Sequence, residues 1–459
     1  MHETATLARF AAEQAFTAIP ADVRHLSARL LLDYIGISLG AWDEPAVQIA
    51  RAVAQDLGGG DQASFLGGGR SSLVNAATVN GIASHVLDFD DSHDPTILHG
   101  TGPVMSAALA AAELVGATGP DLIAAHVVGF EVAARVALAV HPEHYDRGFH
   151  VTGTAGTMGA AAAAGRLLGL DAERLLHAIS AAAAQAAGLR EMFGSMTKSL
   201  HAGKAAGNGL YSALLAQRGW MSAEEGLEGR RGYWSTLSDR MDPERAVAEL
   251  GQRWELRQDG LKPYSCGVVS HPTIDAVRQL RERAGIPAAE IAEIRADVHP
   301  YVLELMGKRE PTVGLEGKFS IYHCAAVGYI EGTARARQFS DEIVRREDVV
   351  ALRRKVVATT TEELPVSGAR VQLVAMDGRT WEESVAAATG TPGNPMSDQE
   401  VLDKFLDLVG DRMDPHRARA IADQAFAMEN GGDVRQFMGL ATGAVGRGSA
   451  GAGAKATAG

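Results

Sequence analysis

Apolar residues recur at every third and fourth position over most of the first 258 residues. Val23, Leu26, Leu30, Leu31 and Tyr34 fall on one stripe and predict a helix after Pro20. The same period predicts helices over 104–115, 121–140, 156–168 and 173–189, with Gly116, Gly119, Gly169 and Gly188 as stops. After Tyr264 the pattern shortens. The run 291–298 alternates like a strand, 356–358 and 371–374 are further strands, and Asp377-Gly378 reads as a hairpin turn. Helices over 271–284 and 321–332 intervene. Ser397-x-x-Glu400 is a capping box that opens a last helical stretch reaching about residue 440.

The pattern therefore predicts a mainly α protein. Residues 1–264 and 396–445 would form one all-helical domain from both chain ends. Residues 265–395 would form an inserted α+β lid, with a cleft between the two. Residues 446–459 have the small, polar composition of a disordered tail.

Composition sharpens this picture in three places. Aromatic residues are only 5% of the chain and glycines number 52, so the helices should pack closely on small residues. The net charge is −13, from 43 basic and 56 acidic residues, and no basic run offers a nucleic-acid face. The two cysteines, Cys266 and Cys324, make no metal-binding spacing and read as buried free thiols. No apolar run reaches the ~20 residues of a membrane span. The amino-terminal residues lack a secretory h-region, so a cytoplasmic protein is expected.

The chemistry concentrates in residues 80–103. His85, Asp88, Asp90, Asp91, His93, Asp94 and His99 crowd into 15 residues. Acids so close repel one another unless cations, hydrogen bonds or protons compensate, which marks an active-site wall. Were the segment helical, His85, Asp88 and Ser92 would share a face. Two metal readings stand beside this one. Asp90-Asp91-Ser92-His93-Asp94 matches the DDxxD signature of magnesium-dependent isoprenoid synthases, though no second carboxylate motif accompanies it. His85, Asp88, His93 and His99 could in principle ligate a metal. A non-catalytic helical binding protein is a further alternative.

Elsewhere, His150 lies on a glycine-flanked approach to a helix. Lys198, His201 and Lys204 form a cation cluster of the kind a carboxylate pocket needs in an acidic protein. Lys262 follows at the domain junction, and Tyr322 is a further candidate. Gly36-Ile37-Ser38-Leu39-Gly40 matches GxSxG but continues a helical stripe, so helix packing explains it better than a nucleophile elbow. No P-loop or dinucleotide fingerprint is present.

Five ordered blocks resemble the MmgE/PrpD family: NGIASHVLDFDDSH, RGFHVTGTAGTMGAAAAAGRLLGL, TKSLHAGKAAGNG, LKPYSCGVVSHPTID and KFSIYH. The resemblance implies a helical domain with an α+β lid, a homodimer, and neither metal nor organic cofactor. It implies 2-methylcitrate dehydration, with cis-aconitate decarboxylation or iminodisuccinate epimerisation as alternatives, on a small di- or tricarboxylate. It points to Asp88, His99 and His150 for catalysis, and to Lys198, Lys262, Ser92 and Tyr322 for substrate binding; His201, from the cation cluster, is expected to join them in binding. In such chemistry a carbanion beside a carboxylate is neutralised by fixed cations, and an acid/base moves a proton at carbon. Two departures stand out. His99-Gly100 replaces a common His-Pro, and Lys204 is an added charge, both expected near the substrate.

Overall fold

The computed structural model describes residues 2–442. The residues predicted as a disordered tail lie outside them. The helices used below are α1 Glu3–Glu13, α2 Ala21–Gly40, α3 Leu73–Val86, α4 Thr101–Val115, α5 Gly119–Leu138, α6 Val151–Leu167, α7 Ala172–Ala183, α8 Thr197–Gln217, α9 His271–Ala284, α10 Ile321–Glu331, α11 Asp398–Val409, α12 Pro415–Phe426 and α13 Val434–Thr442. Strands β1 Ser92–His93 and β2 Asp259–Gly260 form a short antiparallel pair. Strands β3 Ile291–Val298, β4 Val356–Thr360, β5 Ala369–Ala375 and β6 Thr380–Val385 form one sheet in the order β4-β3-β5-β6. β4 runs parallel to β3; the other pairs are antiparallel. The protein is mainly α, as its periodicity predicts.

Two hydrophobic cores result. The larger joins residues from α1 through Leu261 with residues of α11, α12 and α13; the smaller runs from Tyr264 to Val385. The carboxy-terminal helices return to α2 at its glycines. A Cβ on Gly36 would sit 2.9 Å from Phe405 Cδ2, and one on Gly40 would sit 3.0 Å from Leu408 Cδ2. The GxSxG match is thus a helix-packing notch. Lys404 of α11 crosses the core to Asp33 Oδ1 at 2.7 Å and donates to Phe89 O at 2.7 Å. It thereby ties the last helices to the acidic loop after α3.

Small residues set the central packing. A Cβ on Gly203 of α8 would meet Thr78 O at 2.4 Å, and one on Gly209 would meet Ala160 Cβ at 2.6 Å. No larger side chain fits where α8 lies on α3 and α6. That close approach carries Lys198, in the first turn of α8, over the end of α3.

Several sequence-predicted boundaries move. Gly119 begins α5 instead of ending a helix, because Thr118 and Asp121 form a capping box. The helix predicted from 156 starts at Val151, leaving His150 as its N-cap. Gly153 and Gly156 are interior, where a Cβ would strike Ala187 O at 2.4 Å and Pro103 Cγ at 2.8 Å. Tight packing, not helix termination, explains those glycines.

Candidate active site

Helix α3 ends at Val86, and the chain then turns sharply. Asp88 adopts φ +52°, a left-handed conformation uncommon outside glycine but tolerated by aspartate. The turn aims its carboxylate into the protein, where the side chain is only 4% exposed. Lys262, from the junction between the cores, donates from Nζ to Asp88 Oδ1 at 2.7 Å. Lys198 pairs with Oδ2 at 2.9 Å. One carboxylate therefore bridges two buried ammonium groups. Burial alone would raise the Asp88 pKa, but Lys198 and Lys262 overcome it and hold the group well below the usual carboxylate range. Lys198 has its pKa lowered, burial outweighing Asp88. Lys262 has its own raised, because Asp88 and Asp90 together outweigh burial. Lys198 is thus the first of the pair to lose its proton as pH rises. Its Nζ lies 5.3 Å from the ring centroids of both Phe193 and Phe319, one from each core region, which seals it from water.

Four imidazoles, those of His85, His99, His150 and His201, cluster beside this carboxylate. His85 Nδ1 is 2.6 Å from Asp90 Oδ2, and His99 Nδ1 donates to Asp91 O at 2.6 Å. The His99 contact fixes its tautomer, leaving an Nε2 lone pair free. His150 Nδ1 meets His201 Nδ1 at 2.9 Å, while His150 Nε2 is buried without a partner. Burial, with Lys262 beside it, pushes His99 down to about 3 and keeps it neutral; burial also holds His150 well below its ordinary value. Asp88, His99, His150, Lys198 and Lys262 border one narrow cavity of about 40 Å³, together with Tyr145, Phe193 and Phe319. A second cavity of about 440 Å³ shares Ile97, Lys262, Val268 and Val269 with it.

Residues 5–246 match the MmgE/PrpD N-terminal domain, and residues 264–428 match the MmgE/PrpD C-terminal domain. The chain belongs to the MmgE/PrpD family. It is 28% identical to a cis-aconitate decarboxylase of Aspergillus terreus, with 95% of each chain covered. It is 27% identical to the cis-aconitate decarboxylase-like protein oryM of Aspergillus oryzae, covering 96% of this chain and 97% of that protein. It is 28% identical to the cis-aconitate decarboxylase of Mus musculus, over 72% of this chain and 70% of that one. Its family and its decarboxylase relatives together indicate that the chain is a lyase.

Other residues singled out in the sequence fall outside the Asp88 cavity of this MmgE/PrpD protein. Ser92 does not share a face with His85 and Asp88, because the helix has already ended; it sits in β1 and borders the larger cavity. Tyr322 is packed in the smaller core with the Arg309 guanidinium 5.0 Å from its ring centroid, and it borders neither cavity. Lys204 is exposed on the far side of α8, away from any substrate role in the Asp88 cavity. Gly100 is explained by Phe130, whose ring a Cβ would meet at 2.5 Å. His201 reaches the cavity through His150 and is not among its lining residues.

The DDxxD carboxylates do not converge: Asp90 faces His85, Asp91 accepts from Thr101 N at 3.0 Å, and Asp94 is exposed. Among the described residues no three His, Cys, Asp or Glu side chains are gathered as metal ligands. His93 turns instead to Thr96 Oγ1 at 2.8 Å. Cys266 and Cys324 are free and buried. Among the described residues no helix is long and apolar enough to cross a membrane.

Sequence reasoning missed Lys318, Phe193 and Phe319. Lys318 is buried and donates to Leu87 O and to Ser265, bracing the Asp88 turn from the side of the smaller core. Burial pulls it down to about 8. Its signal was available, since it opens the KFSIYH block. The two phenylalanines carried none, because apolar residues next to a cation are not distinguishable from core in one dimension.

Asp259 was also missed. Its buried carboxyl lies against that of Asp91 with no hydrogen-bond donor of its own. Burial and Asp90 push Asp91 up to about 7, and burial with Asp91 pushes Asp259 well above its ordinary value. The folded protein therefore keeps protons that the unfolded chain releases near pH 4, so this pair loses stability as pH rises toward 7 and beyond. Asp259→Asn should flatten that decline and gain about 1–3 kcal/mol at pH 8. Urea unfolding at pH 6 and pH 8 checks it; an equal effect at both pH values would refute the retained protons.

Proposed function

We propose that this MmgE/PrpD protein is a decarboxylase acting, without metal or organic cofactor, on an unsaturated polycarboxylate of the cis-aconitate type. The observation that carries this reading is the bridging of Lys198 and Lys262 by Asp88 beneath a neutral His99. The names of the relatives favour loss of CO₂ over dehydration. In the reaction the bond from carbon to the departing carboxylate breaks, and its electron pair stays on the carbon skeleton. The remaining carboxylates spread that charge, and Lys198 and Lys262 stabilise it in a site closed to water. His150 Nε2 donates to a carboxylate oxygen.

One proton must then reach carbon. His99 is neutral in the free protein, but a bound polyanion raises its pKa and charges it from solvent. It delivers that proton as CO₂ leaves, so one proton is consumed per turnover. Ser92 and His201 support binding at longer range, through the outer cavity and through His150.

The test is a panel of di- and tricarboxylates followed by NMR in D₂O. Cis-aconitate should lose CO₂ with one deuteron placed on product carbon, and His99→Gln should slow this about 10²–10⁴-fold. Dehydration or epimerisation without CO₂ release would replace this reading by the other family reactions. A cytoplasmic homodimer completes the proposal. Ile49, Val53, Leu57, Met196 and Leu200 are exposed around one apolar groove, a surface suited to a second copy. Sedimentation of the wild type beside Val53→Glu would report it.

A further inference from the structure

Beyond Ser92 and Lys262 at its edge, the 440 Å³ cavity outside the Asp88 pocket is not used by the chemistry above. Three observations bear on what fills it. First, the inner pocket holds only a few waters' volume, so a substrate reacting there must extend outward. The outer cavity adjoins it through Ile97, Lys262, Val268 and Val269, and its size is that of a small-molecule site. Second, its charges are wrong for more carboxylates. Among the described residues Lys262 is its one lysine or arginine and is already held by Asp88, whereas exposed Asp94 and Asp146 stand at its wall. Burial pushes His141 down to about 4, and the other imidazole at the wall, His271, turns its Nε2 to Cys266 O at 3.3 Å. Leu261, Val269 and Val366 add apolar wall. Third, Ile97, which borders both cavities, is held at φ +58°. A β-branched residue in that region is strained, and such strain persists where surrounding structure fixes a side chain in place.

We infer that the outer cavity is a specificity chamber for an uncharged, mainly apolar chain carried by the substrate, so that the preferred substrate is an alkyl-extended polycarboxylate. This rests on the polycarboxylate reading and narrows it. The carboxylate-bearing end enters the Asp88 pocket, and the chain passes Ile97 into the chamber.

The experiment compares cis-aconitate with homologues bearing unbranched alkyl groups of increasing length, on the full chain, by kcat/KM and by Tm. Specificity should rise about two- to fourfold per methylene until the chamber is full. Val366→Trp and, independently, Ser367→Phe narrow the chamber from a partly exposed loop. Each should cut the ratio of alkylated to unsubstituted kcat/KM roughly tenfold or more. If cis-aconitate is the best substrate of the series, the chamber inference is overturned and decarboxylation stands. If both variants slow every substrate equally, the cavity is an entrance and the inference is again overturned. If no member is turned over and none raises Tm, the polycarboxylate reading falls and takes this inference with it.

Discussion

Asp88→Asn should destabilise the protein by roughly 3–5 kcal/mol at pH 7, and a citrate-like polyanion should restore most of that loss. In the free protein Asp88 is the counter-ion of two buried lysines at 2.7 and 2.9 Å. An amide cannot compensate them, and two ammonium groups then face each other in a water-poor pocket. Their pKa values fall, Lys198 first, since burial has already lowered it. The pH dependence has a definite sign. Asp88 titrates well below an ordinary carboxylate, so its contribution is present above the unfolded pKa near 4 and disappears as pH falls through the folded value. The gap between wild type and variant should close in acid. The ligand effect is the sharper test. A polyanion that binds these lysines should raise the Tm of Asp88→Asn more than that of wild type, because it no longer competes with Asp88. Equal shifts in both proteins would mean that the ligand does not meet the lysines.

Lys198→Met and Lys262→Met should each lower kcat/KM by about 10²–10³-fold, and the double variant by less than the product of the two. Each removes one fixed positive charge from a place where charge develops, and both act through the same carboxylate. Stability should change little in either single variant, because Asp88 keeps one partner. Arginine should not rescue Lys198. Its planar fork is too wide for a slot closed by Phe193 and Phe319, each centred 5.3 Å from Nζ. Stopped-flow or NMR rates, paired with urea unfolding, separate the two effects. A lysine variant that retains wild-type turnover would remove that lysine from the mechanism.

The one-dimensional pattern was sufficient for the helical character, for the β3-to-β6 region and for the acidic segment as a place where charges crowd. Periods of 3.6 and 2 are local properties, and crowded acids are visible without coordinates. The five blocks also pointed to Asp88, His99, His150, Lys198 and Lys262, which border one cavity. What one dimension could not decide was direction. Ser92 is four residues from Asp88, yet the turn at φ +52° sends it to the other cavity. Tyr322 lies in a site-forming block, yet helix α10 points it into the smaller core.

Only the tertiary structure revealed that one aspartate neutralises two lysines from distant segments, that Asp91 and Asp259 share a buried environment, and that a chamber adjoins the pocket. These depend on how closely α8 settles on α3 and where the smaller core meets the larger. Such distances are set by glycine contacts across the core, and periodicity along the chain carries no record of them. The sequence determined which kinds of side chain were present and which elements bore them; packing decided which charges touch.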